Sequence, residues 1–306
     1  MPRFLIHLCS IVCCVSAAMS AEPLPVACGT SVVHDLTMRI GGERVKAEVL
    51  SSYGLDPHTF QPTPAQARTL AGAKLIVVNG LGFEGWFDGL LKDSGSTAPV
   101  VVASTGIEVL HMVEACAGHG HAHTAGHTHE TEIPDPHPFN SAREVVRFAE
   151  NIRDGLITAD PAGKAGYEER AATVIASLRE VDAWAKKQIS VIPQPQRVLV
   201  TNHDALGYFC RSYGFTAKAP LGALERAEAS SAEMVTIVNF IRQQGVKAVF
   251  LEYAANDKLI TQIAKEAGVK PGGELYLDGI PAADTGVIGF EATFRHNVTT
   301  IVNALR

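Results

Sequence analysis

Residues 73–104 read AKLIVVNGLGFEGWFDGLLKDSGSTAPVVVAS. A β-branched run, AKLIVVNG (73–80), leads through a loop into GFEGWFDGLLKDSG (82–95), whose apolar residues recur at helical spacing, and a second run, APVVVAS (98–104), follows. Two parallel strands need a long crossover, and a helix is the usual one, so this order predicts a parallel sheet covered by helices.

The alternation continues on both sides. Strands are expected at VKAEVLSS (45–52), QRVLVTN (196–202), VKAVFLEY (246–253) and GELYLDG (273–279). Helices are expected at PTPAQARTLAGA (62–73), ASSAEMVTIVNFIRQQG (229–245) and NDKLITQIAKEAG (256–268), the last two stopped by glycine. Residues 141–190 break the pattern: SAREVVRFAENIRDGLITADP (141–161) reads as one helix, and AGKAGYEERAATVIASLREVDAWAKKQIS (162–190) as another without an internal proline. At about 1.5 Å per residue the second would span roughly 40 Å, the length of a rigid connector. The expected fold class is α/β: two Rossmann-like parallel-sheet lobes joined by one long rigid helix. The expected boundaries are a signal peptide (1–20), an N-terminal lobe (22–160), a connecting helix (161–191) and a C-terminal lobe (195–306), with IPQPQ (192–196) marking the second junction.

The first 21 residues, MPRFLIHLCSIVCCVSAAMSA, combine an early Arg3, an apolar run and small residues, the pattern of a secretory signal cleaved near 18–21. Export across the inner membrane to the periplasm is expected, with the mature chain soluble. Lipid attachment at Cys28 is disfavoured by Pro25 and by its distance from the apolar run. The formal charge of −6 offers no basic stripe, so neither nucleic acid nor a membrane surface is an expected partner. Beyond the signal only Cys28, Cys116 and Cys210 remain, too few for a disulfide framework. Whether Cys28 and Cys116 pair is left open, and Cys210 in GYFCRSYGF is read as a buried apolar residue.

Four residues stand out by context. His58 in LDPHTFQPTPAQ follows a strand and precedes a helix; His137 in IPDPHPFNSAREV comes just before a helix that Asn140 or Ser141 can cap; His203 in RVLVTNHDALGYF and Asp278 in GELYLDGIP lie at the carboxyl ends of strands. Ligands of open α/β sheets bind outside those ends, so all four can face one cleft. Three imidazoles and a carboxylate form a complete tetrahedral set for Zn²⁺. A single strand-end histidine is more often a capping or hydrogen-bonding residue, and Asp278 could serve a turn before Gly279. The two D-P-H tripeptides shift the balance, because each proline restricts the backbone that presents the following imidazole. Glu252, at the end of VKAVFLE, is a candidate either to orient a ligand histidine or to cap. His34, His111 and His296 are read as structural or surface residues. NGLG (79–82) lacks the third glycine and acidic partner of a dinucleotide site.

In DPHTFQPTP, NGLGFEGWFDGLL, DPHPF, the long connector, TNHDALGYF, FLEYAAND and LYLDG, nearly all of residues 24–306 resembles the metal-specific solute-binding proteins of bacterial zinc and manganese ABC importers, the zinc-binding periplasmic type in particular. The resemblance implies a metal held between two α/β lobes by His58, His137, His203 and Asp278. In that family the third position is typically His in zinc binders and Glu in manganese binders, so His203 favours zinc, in line with the preference of imidazole for Zn²⁺ and of hard oxygen donors for Mn²⁺. Where the family usually continues with Trp and Asp after the second histidine, this chain has Phe139 and Ser141. The resemblance further implies a monomer that delivers zinc to a membrane permease driven by a cytoplasmic ATPase, with a periplasmic metallochaperone as a candidate further partner. A manganese- or iron-specific member of the same class is the first alternative. A secreted zinc metallohydrolase is the second, disfavoured because four protein ligands leave no open position for water and no H-E-x-x-H or G-x-S-x-G occurs.

Residues 114–132 carry no regular pattern and contain GHGHAHTAGHTH (118–129), with His119, His121, His123, His127 and His129. Ligation there would require ordering a Gly-, Ala- and Thr-rich loop, so it is expected to bind zinc more weakly than a preorganised site. The loop reads as an accessory collector feeding the four-residue site; a dispensable surface loop is the alternative.

Overall fold

In the computed structural model, which describes residues 22–115, 130–220, 231–255 and 257–306, the first elements are β1 (Leu24–Cys28), α1 (Ser31–Gly41), β2 (Val45–Val49), α2 (Pro64–Gly72), β3 (Leu75–Val78), α3 (Phe87–Ser94) and β4 (Val100–Val102). All four strands are parallel, in the order β2-β1-β3-β4. Both faces are covered. Val26, Cys28, Leu75 and Val77 point into one core, and Ala27, Ile76 and Val78 into another beneath α2 and α3, which gives the near-continuous apolar runs of a parallel strand buried on both sides. Local chemistry sets the helix ends. Thr63 and Gln66 form a capping box at α2, with Pro64 in the first helical position where its missing N–H removes no bond.

β1 has no counterpart among the expected strands, because two prolines precede its apolar residues. Pro25 is tolerated at the second position of the strand, where its carbonyl accepts from Lys74 N at 2.9 Å and pairing with β3 begins one residue later. There Cys28 is a fully buried free thiol, pushed up to about 12 by burial.

Next comes a hairpin, β5 (His111–Ala115) and β6 (Glu130–Pro134), antiparallel with His111 opposite Pro134. This corrects the expectation of no regular structure over 114–132, since ladder pairing runs on through 114–115 and 130–132. The five loop histidines and Cys116 lie in 116–129, outside the described residues.

α4 (Ala142–Ala159) and α5 (Lys164–Ile189) follow. α5 has 26 residues, about 39 Å at the standard rise, as the sequence predicts. It is more than a bridge: Tyr167, Ala171, Val174, Leu178, Val181, Ala185 and Ile189 form a buried stripe against α4, α1 and the last helix, α9 (Phe290–Leu305). One apolar core therefore runs from β1 and β3 through α5 to α9. Arg39 of α1 reinforces the connection with two hydrogen bonds of 2.7 and 2.6 Å to the Glu291 carboxylate of α9.

The remaining elements are β7 (Val198–Val200), α6 (Gly207–Tyr213), β8 (Thr216–Lys218), α7 (Ser231–Gln244), β9 (Ala248–Glu252), α8 (Asp257–Ala267) and β10 (Lys270–Leu275). β7 pairs in parallel with β8, β9 pairs in parallel with β10, and β7 lies alongside β9. The molecule is thus two-lobed and α/β, with a long helix between the lobes. The final strand is displaced from its expected span of 273–279: β10 starts at Lys270, is interrupted between Pro271 and Glu274, and stops at Leu275. Beyond it, the Asn297 side chain of α9 takes over, accepting from Tyr276 N (2.9 Å) and donating to Tyr276 O (2.8 Å). Cys210, expected as a buried apolar residue, is partly buried and packs against the apolar core. Among the described residues no helix is long and apolar enough to cross a membrane.

Candidate metal site

His58, His137, His203 and Asp278 converge. One potential ligand atom from each lies within 4.8 Å of the others. His58 Nε2 and His137 Nε2 are 3.2 Å apart, and Asp278 Oδ1 is 3.3 Å from His203 Nε2, 3.6 Å from His58 Nε2 and 3.9 Å from His137 Nε2. A tetrahedron with metal–ligand distances of about 2.0–2.1 Å has edges of about 3.3–3.4 Å, so these four separations already lie near what one small cation would require. His203 Nε2 and Asp278 Oδ1 are buried and face each other across 3.3 Å, with no hydrogen bond to any other protein group, so only this one ion pair offsets their burial.

Each histidine is delivered differently. His203 stands three residues beyond β7, where the Glu252 carboxylate at the end of β9 accepts from Asn202 N (2.6 Å), His203 N (3.1 Å) and His203 Nδ1 (2.5 Å). Of the two roles open to Glu252 in the sequence, it has the orienting one. Asp135 does the same for His137, accepting from its backbone N–H and its Nδ1–H, both at 2.9 Å. A carboxylate on Nδ1 fixes the ring so that Nε2 faces the rest of the cluster, and raises its basicity. Asp135 sits so close to α6 that a Cβ on Gly207 would lie 2.5 Å from its Oδ2. His58 has no such partner: Asp56 accepts from His58 N (2.8 Å) and Thr59 Oγ1 (2.8 Å), and His58 Nδ1 is buried without a hydrogen bond. Trp86 Nε1 donates to Pro57 O at 3.0 Å, tying this loop to the start of α3.

Neither side chain expected to cap α4 does so. Ser141 Oγ bonds Ser212 Oγ at 2.8 Å, and the Asn140 amide reaches away to Ala205 O and Leu277 O. Phe83 packs edge-on against His58 and His137, with ring centroids 4.8 and 5.6 Å away, and Phe139 lies behind it at 4.9 Å, making one wall apolar. Next to it, the buried Glu84 accepts from Asn79 N and Gly80 N; burial pushes it up to about 7 against those hydrogen bonds.

The electrostatics divide the ligands. Burial lowers His137 despite the Asp135 carboxylate, favouring the neutral ring. Burial also opposes charging of His203, but Glu252 and Asp278 overcome it and hold the ring well above its ordinary range. Asp278, although buried, is held well below the usual carboxylate range by His203 and His58. The proton on His203 thus sits between the Glu252 and Asp278 carboxylates.

His34, His111 and His296 stay outside the cluster: His34 meets Tyr53 Oη at 2.8 Å, His296 meets Glu274 O at 3.0 Å, and His111 is exposed on β5. Asp135, Asn79, Trp86 and Phe83 were not singled out from the sequence, and Asn140 only as a cap. Only Asp135 carried a local signal, as the acidic residue two before a candidate ligand.

Against known proteins, a family model described as ZnuA, zinc-uptake complex component A, periplasmic, matches residues 26–304. The manganese-binding lipoprotein MntA of Bacillus subtilis is 30% identical over 297 residues, 95% of this chain and 93% of its own. The iron-binding protein YfeA of Yersinia pestis is 28% identical over 92% of this chain and 86% of its own. Among solved structures, the periplasmic zinc-binding protein TroA of Treponema pallidum superposes with a TM-score of 0.81 at 27% identity, covering 93% of this chain and 99% of its own.

Proposed function

For a chain that belongs to the zinc-uptake complex component A family, we propose high-affinity capture of zinc outside the cytoplasm and its delivery to the permease of an ABC importer. The family consists of transport binding proteins and not of enzymes, which removes the metallohydrolase alternative. His58, His137, His203 and Asp278 are the ligands in this proposal. The observation that carries it is the convergence of three Nε2 atoms and one carboxylate oxygen, two of these four atoms buried without any other partner. Nitrogen-rich, four-coordinate surroundings suit Zn²⁺. The names of the manganese- and iron-binding relatives support a second reading, in which another divalent ion is the cargo.

The proposed organisation keeps a periplasmic monomer with lobes at 22–160 and 195–306 and a connecting helix at 161–191. The histidines of 118–129 act as a weaker collector, and a metallochaperone remains a candidate donor. Metal analysis of the purified mature chain, with competition between Zn²⁺, Mn²⁺ and Fe²⁺, tests the proposal. One tightly held zinc per chain is expected; it is lost in His203→Ala and retained when 118–129 is deleted. Preferential manganese or iron retention would decide for the second reading.

A further inference from the structure

Asn140 occupies the 3-10 turn Pro138–Asn140 directly after His137, and it is 6% exposed. Its Nδ2 donates one hydrogen to Ala205 O (3.0 Å) and the other to Leu277 O (2.9 Å). Ala205 is two residues beyond His203, and Leu277 immediately precedes Asp278. A single amide on the segment carrying one candidate ligand thus holds the backbones carrying two others, which belong to the opposite lobe.

Asp278 needs such support, because β10 has already ended at Leu275 and no strand ladder carries its backbone. The segment is held instead by side chains: Asn297 at Tyr276, Asn140 at Leu277 O and Ser31 Oγ at Ile280 N, the last at 2.9 Å. We infer that Asn140 is a positioning residue that sets the spacing of His203 and Asp278 from His137 and thereby the coordination polyhedron. The inference rests on the metal-binding proposal above. The chemistry is specific: a primary amide presents two donors in one plane, a carboxylate at this position would face two carbonyl oxygens with none, and a glutamine would carry the amide one methylene too far. Asn140 was read from the sequence only as a helix cap, and its side chain makes no cap.

A merely structural asparagine would contribute to folding stability and leave the metal site alone, so the test separates the two. Wild type, Asn140→Leu and Asn140→Ser are compared as full mature chains by three measurements: thermal unfolding without metal, Zn²⁺ competition titration, and the ligand-field absorption spectrum of the Co²⁺-loaded protein. Asn140→Leu is expected to weaken zinc binding about 10–100-fold, the range for removing an outer support of a metal site, and to replace the intense tetrahedral cobalt bands with weaker ones. Asn140→Ser, which keeps one donor, falls between and carries the same test if the leucine variant does not fold. Variants that melt earlier but match wild type in zinc affinity and cobalt spectrum would overturn the inference alone. A wild-type chain that takes up no stoichiometric zinc or cobalt would overturn the metal-binding proposal and this inference with it.

Discussion

The tripeptide Asp-Pro-His occurs twice, at 56–58 and 135–137, and the two copies do different work. In both, the aspartate accepts the backbone N–H of the histidine two residues on, closing the same Asx turn. There the likeness stops. Asp135 also takes the ring Nδ1–H, Asn79 Nδ2 donates to Pro136 O (3.0 Å), Tyr208 Oη donates to Asp135 O (3.1 Å), and His137 is completely buried. Asp56 turns its second oxygen to Thr59, His58 Nδ1 has no partner, and the neighbouring Leu55 is 52% exposed. The motif determines the turn in both copies; in the second its aspartate also orients the ring, and Asn79 and Tyr208, far away in sequence, hold the backbone. In the proposed metal site His137 is preset by protein groups before the cargo arrives, while His58 would take its final orientation from the metal.

If that contrast holds, removing the two aspartates has unequal consequences. Asp135→Ala leaves two buried donors on His137 without an acceptor and frees its ring. Zinc affinity should fall about 10–100-fold, with about 1–3 kcal/mol lost from the metal-free fold for the stranded groups. Asp56→Ala, which removes only the turn bond and the Thr59 contact, should change zinc affinity by no more than a few-fold. Calorimetric titration of both variants checks this, and equal losses would erase the distinction between the copies.

The same contrast explains how much of the site was legible beforehand. The four candidate ligands could be read because each lies where a strand or a proline-restricted turn must stop, which is a local property. The parallel architecture and the long helix α5 were legible for the same reason, from β-branched runs and an uninterrupted helical period. Of the groups that hold them, Glu252 was a candidate and Asp135 lay within its own motif, but the long-range amides were not legible. Asn79 and Pro136 are 57 residues apart and Asn140 and Leu277 are 137 apart, so no window of sequence contains both partners. The end of β10 was misplaced because Tyr276 and Leu277 have strand-like side chains, yet Tyr276 pairs with Asn297 on a helix. β1 was hidden by Pro25, whose missing N–H matters less at the second residue of a strand than within one.

Protonation sharpens the comparison by bringing in the third histidine. Burial keeps His137 inclined to neutrality, whereas His203 is held well above 6.5 by Glu252 and Asp278, so zinc binding as proposed would displace a proton from His203. Affinity should therefore rise with pH above about 6.5, approaching tenfold per unit for one displaced proton, and level off once the folded-state His203 has titrated. Metal-free stability should run the other way: a raised histidine stabilises fully below its unfolded value of 6.5 and loses that contribution as pH rises through the folded value. Titrations and melts at several pH values check both signs. An affinity that is flat above pH 6.5 would mean that His203 is already neutral.

The smallest expected effect concerns a long-range hydrogen bond that the first copy does possess. Trp86 Nε1 donates to Pro57 O while its ring packs against Phe60 with centroids 5.0 Å apart. Trp86→Phe preserves an aromatic ring for that packing and removes only the hydrogen bond, worth about 1 kcal/mol or roughly fivefold. Because His58 is not preset by a carboxylate, the loss should fall on how long the metal is retained and not on the fold. Stopped-flow release of Zn²⁺ to a chelator should be a few-fold faster, with the metal-free melting temperature nearly unchanged. A variant that melts much earlier but releases zinc at the wild-type rate would show that Trp86 supports α3 and its packing, leaving the Asp56-Pro57-His58 turn to hold itself.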